Sequence, residues 1–239
     1  MRLKLLFAAL LALLPVPALA DVTAHYVAGP KDPLVIEVAD GGNARFSIGD
    51  KFAVIRRDGV DYVLVANATG GFSIAKLADV LELISGQMKS GGIDVSVKPQ
   101  LFELSAGGEE SVAGYSGMVW TLAQKPSAPG KGPGDPIDVV ISADPALAPV
   151  GTVFHHLIDV MNPIFRLVVG DTGNLGRLLG ELTAKGTPLR VGPILALDSV
   201  SNAEIGAERF ELPGTVLEPM EFLAAVSPAQ SGAGMPPLP

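Results

Sequence analysis

The chain has no cysteine. That excludes disulfides, thiolate metal sites and a cysteine nucleophile, and it excludes a lipid-modified cysteine behind an export leader. Histidine is nearly absent: His25, His155 and His156 are the only three. A zinc site needs three or four ligands, and His25 is remote in sequence from the pair. No metal or other cofactor is expected. Beyond residues 5–14, long uninterrupted apolar runs are missing as well. The most continuous apolar block of the body, residues 146–182, is broken by Asp159, Arg166, the His pair and two prolines. A membrane-spanning helix needs about 20 apolar residues in succession, so none is expected.

Positive charge is in deficit. Seventeen Lys and Arg stand against 25 Asp and Glu, a formal charge of −8. This balance argues against a nucleic-acid partner, because phosphate-backbone binding is carried by clustered basic side chains. Catalytic signatures are missing too. Gly114-Tyr115-Ser116-Gly117 is followed by Met118, so it is not a G-x-S-x-G elbow, and it falls in a strand pattern rather than at a strand-to-helix turn. Pro129-Gly130-Lys131-Gly132 lacks the Ser or Thr that follows the lysine of a phosphate loop. Gly170, Gly173 and Gly176 recur every three residues, which is not the dinucleotide fingerprint. No catalytic residue is assigned, and the chain is not expected to be an enzyme.

What is present begins with an export leader. Arg2 and Lys4 supply its positive end and residues 5–14 its apolar core. Pro15 and Pro17 then break the helix, and Ala18-Leu19-Ala20 has the small-x-small form of a cleavage site. Cleavage after Ala20 removes Arg2 and Lys4 and takes the formal charge from −8 to −10. The Ala, Leu, Val, Gly and Pro content is of bacterial type, so the exported product is expected in the periplasm or the medium. An exported chain without disulfides must be held by its core, and this one is long enough to build one.

Short strand signals dominate the first half. Residues 23–28, 34–38, 44–48, 52–57, 60–66 and 72–74 read as an antiparallel meander, with Asp58-Gly59 as a two-residue hairpin turn. Leu77, Val80, Leu81, Ile84 and Met88 then mark an amphipathic helix over 76–89. Strands resume at 98–104, turn at Gly107-Gly108, and continue through 110–115 and 116–122. Met118, Trp120 and Leu122 share one face of the last of these. Gly114 and Gly117 suggest a bulge or a close backbone approach. Residues 125–136 form a Pro/Gly loop. The near-continuous apolar run 137–142 predicts a strand buried on both faces.

The apolar block supplies the long helices. Val150, Val153, Phe154, Leu157, Met161, Ile164, Phe165 and Val168 recur at three and four residues, predicting a helix over 146–169 with a kink or break at Pro163. Leu175, Leu178, Leu179 and Leu182 predict another over 174–185, capped by Asp171 or Asn174 and ended by Gly186. Beyond it, 188–200 reads as one long or bent strand, and 205–212 alternates with Phe210 and Leu212 on one face. Residues 227–239 are almost chargeless Pro, Gly, Ser and Ala and read as a disordered tail. The two sides of the 125–136 loop each look incomplete alone, so residues 21–226 are read as a single domain.

His155, His156 and Asp159 form the one polar cluster worth weighing. On a helix Asp159 lies within reach of either imidazole; the bland alternative is an exposed or locally hydrogen-bonded pair. The apolar faces are less specific but more suggestive. Phe154, Leu157, Met161 and Phe165 could face Trp120 and Met118 across a sheet–helix interface, either as ordinary core or as an incompletely filled groove for an acyl chain or other apolar ligand.

Three stretches carry a family resemblance. Ser111-Val112-Ala113-Gly114-Tyr115 with the strand through Trp120 resembles a recurrent segment of the bacterial DUF4412 family of exported proteins. So does Gly186-Thr187-Pro188-Leu189-Arg190-Val191 leading into Asp198-Ser199-Val200, and so does Ile205 with Phe210-Glu211-Leu212-Pro213. That family is similar in pattern to the LolA and LolB lipoprotein-carrier fold, a half-open antiparallel barrel lidded by helices that cradles acyl chains. The resemblance implies a fold of this kind, and with the count of alternating segments the expectation is α+β, a strongly curved antiparallel sheet of roughly ten strands covered by helices on its concave face. It hints at a lipid ligand and transfers no catalytic residue. The functional expectation is an exported lipid-binding or carrier module. The alternative is an envelope structural or protein-interaction module with a fully packed core.

Overall fold

The computed structural model describes residues 21–29, 32–67, 70–90, 101–126, 135–169 and 173–227, with side chains for all of these except 32, 89 and 164–169. The expected leader, and the expected tail beyond Ser227, therefore lie outside the described residues, as do the glycines at 91 and 92, the start of the strand expected at 98, the middle of the Pro/Gly loop, Gly170 and Asp171. Phe165 lies in a described helix, but its side chain is outside the description.

The described chain forms an α+β fold built on one antiparallel sheet of eleven strands. They are β1 (Val22–Ala28), β2 (Asp32–Val38), β3 (Ala44–Ile48), β4 (Phe52–Arg57), β5 (Val60–Ala66), β6 (Phe72–Lys76), β7 (Phe102–Val112), β8 (Tyr115–Gln124), β9 (Ile137–Ser142), β10 (Thr187–Val191) and β11 (Leu195–Ser201). Four helices join them: α1 (Leu77–Ser90), α2 (Ala148–Val169), α3 (Leu175–Thr183) and α4 (Pro219–Val226). The strands lie in the order β6-β5-β4-β3-β2-β1-β11-β10-β9-β8-β7.

The first six strands are the meander that the turn residues predict. Asp58 and Gly59 take positive φ of 52° and 79° at the β4–β5 turn, the backbone twist that a two-residue hairpin needs. Further along, three expectations are corrected. Gly107-Gly108 does not turn the chain; it lies inside β7, at a bulge between Ala106 and Glu109. A bulge takes up the extra residue without ending the strand, and the reversal comes at Ala113-Gly114, both at positive φ. Residues 188–200 are not one bent strand but the hairpin β10–β11, with Val191 opposite Leu195. Residues 205–212 are not a strand. They cross over the sheet as an irregular segment with a 3₁₀ turn at Ala207–Phe210, which lies over β3 and β4, strands that already have both neighbours and offer no edge to join.

The sheet is also not the half-open barrel expected: it is neither closed nor strongly curled. Its β6 edge is met instead by the closing segment. Val216 makes a parallel bridge to Ile74, and the Leu217 amide donates to the Ile74 carbonyl at 2.7 Å. That edge is covered rather than paired to β7, which manages the exposed edge without closure.

Burial is two-sided where successive strand residues are both apolar. Val54, Val63 and Ala75 pack with Leu77, Val80 and Phe222 of α1 and α4. Their strand neighbours Ala53, Ile55, Leu64 and Ile74 pack with Phe210 of the crossing segment. β9 behaves as its apolar run predicts: Val140 joins a cluster with Leu147 and Val150, while Val139 and Ile141 pack with Leu182 of α3. Gly117 is a close approach, since a Cβ there would lie 2.7 Å from Val140 Cγ1 and 2.9 Å from the Ile141 carbonyl oxygen.

α2 is continuous through Pro163, with no break. Proline removes the amide that would bond the carbonyl of residue 159. Asp159 and Pro163 are both exposed, so water can take the place of the missing bond.

β7 is tied back across two intervening strands. Arg190 Nε and Nη2 of β10 donate to Glu110 Oε1 and Oε2 of β7 at 2.9 and 2.7 Å. The hydrogen bonds from Arg190 hold the Glu110 carboxyl below its ordinary range. A carboxyl lowered on folding stabilises the fold above its unfolded value, and that contribution is lost as pH falls through the folded one. The stability advantage of wild type over Arg190→Gln, measured by urea denaturation, is therefore expected at pH 7 and lost in acid, once Glu110 is protonated in the folded chain as well. An advantage that persists unchanged into acid would show that the pair is not what links β7 to β10.

Candidate functional site

The strand register builds a graded surface beneath α2. Val38, Ala44, Arg56 and Asp61 form one row across β2 to β5, at the end of the sheet where the β2–β3 and β4–β5 turns lie. Two residues inward the row is Ile36, Phe46, Val54 and Val63. Two further inward it is Leu34, Ile48, Phe52 and Val65. Side chains two apart on a strand share a face, so the surface passes from charged at the turn end to wholly apolar inside.

α2 lies over this gradient and leaves space. A cleft of about 580 Å³ runs between it and the strands. Its apolar walls include Val38, Phe46, Val54, Val153 and Leu157, and its polar end holds Asp40, Arg56, Asp61, His155, His156 and Asp159. A second hollow, about 320 Å³, continues inward between α2 and α3, lined by Leu34, Phe154, Ile158, Met161, Leu175 and Leu179 among others. Phe46 and Leu157 line both. Beside the hollow α2 is anchored to the sheet: Val150 is buried in one cluster with Tyr26, Ile36 and Leu189. Phe154 meets Tyr26 edge-on at 5.4 Å between ring centroids. Tyr26 is itself pinned, its hydroxyl donating to the Pro188 carbonyl at 2.9 Å, and burial pushes its phenol well above the ordinary value.

The polar end is built from three elements. His156 Nε2 of α2 lies 2.7 Å from Asp61 Oδ2 of β5 and 2.7 Å from Arg56 Nη1 of β4. A ring nitrogen serves one of these at a time: with a proton it donates to Asp61, without one it accepts from Arg56. Arg56 Nη1 also lies 3.8 Å from Asp61 Oδ1, and that oxygen is buried with no hydrogen-bond partner among the described residues. His155 points elsewhere. Its Nδ1 is 2.8 Å from Thr183 Oγ1 of α3 and its Nε2 is 3.5 Å from Asp159. The Thr183 hydroxyl already donates to the Leu179 carbonyl at 3.0 Å, so it accepts from His155.

Thr183, His155 and Asp159 thus stand in the order of a hydroxyl–imidazole–carboxylate relay, but they act as a pin between α2 and α3. The hydroxyl proton is committed to a helix carbonyl, Thr183 is buried at 8% exposure, and Asp159 is solvated. A relay needs its hydroxyl exposed to a substrate and its proton facing the imidazole. No group of three or more His, Asp or Glu able to hold a metal occurs among the described residues, and none of the described helices is long and apolar enough to cross a membrane.

The six groove candidates separate. Phe154, Leu157 and Met161 line the inner hollow. They face Leu34 and Phe46 of β2 and β3 rather than β8. Trp120 packs against the Val139, Ile141 and Leu182 cluster, with the Lys185 ammonium 4.7 Å above its ring. Met118, beside it on the same face, is 37% exposed. Phe165 lies outside the described side chains. Sequence reasoning missed Arg56, Asp61 and Phe46. Helical spacing could pair His156 only with its own helix, whereas its partners are 100 and 95 residues away. The available signal was Arg56 and Asp61 flanking the Asp58-Gly59 turn, which sets them opposite each other.

Comparison with protein families, with curated proteins and with solved structures returns no match for this chain.

Proposed function

We propose that the chain is an exported binding or carrier module for a lipid or other small amphiphile, held in the cleft beneath α2. The observation that carries this reading is the graded cleft itself: about 580 Å³ with apolar walls and one charged end, adjoining an apolar hollow through Phe46 and Leu157. Small-molecule sites are concave, mostly apolar spaces of roughly 300–1,000 Å³ with a few convergent polar groups. A half-barrel is not needed for such a site, because here the helix supplies the roof.

The test is native mass spectrometry of the mature protein purified from the host periplasm. A discrete adduct of amphiphile mass is expected on wild type. Thr152→Trp, at an exposed position of the cleft lip, is expected to remove it while leaving the circular-dichroism spectrum unchanged. A clean unliganded mass, together with no uptake of any added amphiphile, would overturn the reading in favour of a packed interaction module.

A further inference from the structure

Resting on the binding role just proposed, we infer that the cleft selects an amphiphile with a cationic head, an ammonium or quaternary ammonium group. Its charged lining comes from every element around the polar end: Asp40 from the β2–β3 turn, Arg56 from β4, Asp61 from β5, and the two histidines with Asp159 from α2. Three carboxylates therefore face one guanidinium. That guanidinium is compensated within the wall, by Asp61 at 3.8 Å and by contact with His156 Nε2 at 2.7 Å. The charge left over belongs to Asp40 and Asp159, both carboxylates and both exposed. Among the described residues Asp159 has only the His155 contact at 3.5 Å.

A bound anion would meet this surplus as repulsion and a cation as attraction. The direction of the gradient places the head. Asp40, Arg56 and Asp61 occupy the turn end of the sheet, and the rows inward of them are apolar. A chain entering head-outward would lie over Phe46 and Leu157, with its tail end among Phe154, Met161 and Leu179. The carboxylates at the lip are exposed, so each contributes modestly and in a salt-dependent way. Because a change of ligand sign reverses the contribution of both, the expected discrimination is roughly tenfold at low salt.

Isothermal titration of the full mature protein with three probes of one chain length, each below its micellar concentration, tests this. The probes are dodecyltrimethylammonium, dodecanoate and dodecyl maltoside. The cation is expected to bind about tenfold tighter than the anion in low salt, with the gap closing at about 0.5 M NaCl. Asp40→Asn with Asp159→Asn should bring the cation and anion dissociation constants to within about threefold of each other. Equal or tighter binding of dodecanoate overturns the selection for a cation but leaves the apolar cleft standing, as does a preference untouched by the double substitution. Failure of all three probes, the uncharged one included, overturns the binding reading as well.

Discussion

Gly186→Ala is expected to cost roughly 4 kcal/mol or more and to leave little folded protein at 37 °C. Gly186 joins α3 to β10 at φ 149°, and a Cβ placed there would lie 2.0 Å from the Ser142 carbonyl oxygen and 2.8 Å from its carbon. Neither atom can yield alone. Ser142 is the last residue of β9 and pairs with Thr187 in the ladder, and its hydroxyl donates to the Ser116 carbonyl at 2.8 Å. Relief would have to move β9 or β10, both inside the sheet. Gly180→Ala is the control. It lies in α3 with nothing within 4 Å of its added Cβ, so it should raise stability by about 0.5–1 kcal/mol through helix propensity and a less flexible unfolded chain. Urea denaturation of the pair reads both signs. A Gly186→Ala protein as stable as wild type would mean that the α3–β10 junction follows another path.

Glu37→Ala is expected to cost about 3 kcal/mol. Glu37, the last residue but one of β2, is 6% exposed. It accepts from Arg209 Nε and Nη2 of the crossing segment, both at 2.7 Å, and lies 3.8 Å from Arg45 Nε of β3. Arg45 Nε is buried without a hydrogen-bond partner among the described residues. Burial and the nearby Arg209 charge pull the Arg45 pKa down, while Glu37 works against them. Removing the carboxylate would leave two guanidiniums facing each other on a partly dry surface. Arg209 is 47% exposed and can turn to water, which sets the cost at the lower end for a broken buried pair. Most of the penalty is stranded charge, so Arg45→Met in the same chain should recover about half of it. Equal, additive losses in the double variant would refute that account.

How far the sequence spoke for the molecule depends on the range over which each signal acts. The meander, α1 and α2 were legible because alternation, Asp58-Gly59 and the 3–4 spacing from Val150 onward are local. Local signals misled where tertiary context decided. Gly107-Gly108 has turn composition, but β8 was available to continue the ladder, and the pair became a bulge. Phe210 and Leu212 were placed together, both against the β4–β6 face, yet by a 3₁₀ turn rather than a strand. α4 went unread because Pro219–Val226 is short and its one buried anchor, Phe222, gives no period. Half of the candidate site was visible, the Phe154–Leu157–Met161 stripe. The other half, Arg56 with Asp61, became a site only when the sheet carried it under His156.

The seam between β1 and β11 has a consequence for how the molecule comes into being. Thr23 pairs with Ser201, 178 residues later, while nearly every other ladder joins consecutive strands. The β1–β6 block can therefore zip up from local hairpins at small loop-closure entropy, while the β7–β11 block closes one longer connection, from Ser142 to Thr187 across α2 and α3. Their union must wait for the last strand of the sheet, and it carries the highest contact order in the molecule. Until then β1 and β11 are bare edges with apolar faces, the state in which a partly folded chain is most prone to pair with a copy of itself. The cleft exists only afterwards, since α2, carried between β9 and β10, reaches its floor of β2 to β5 when the two blocks meet.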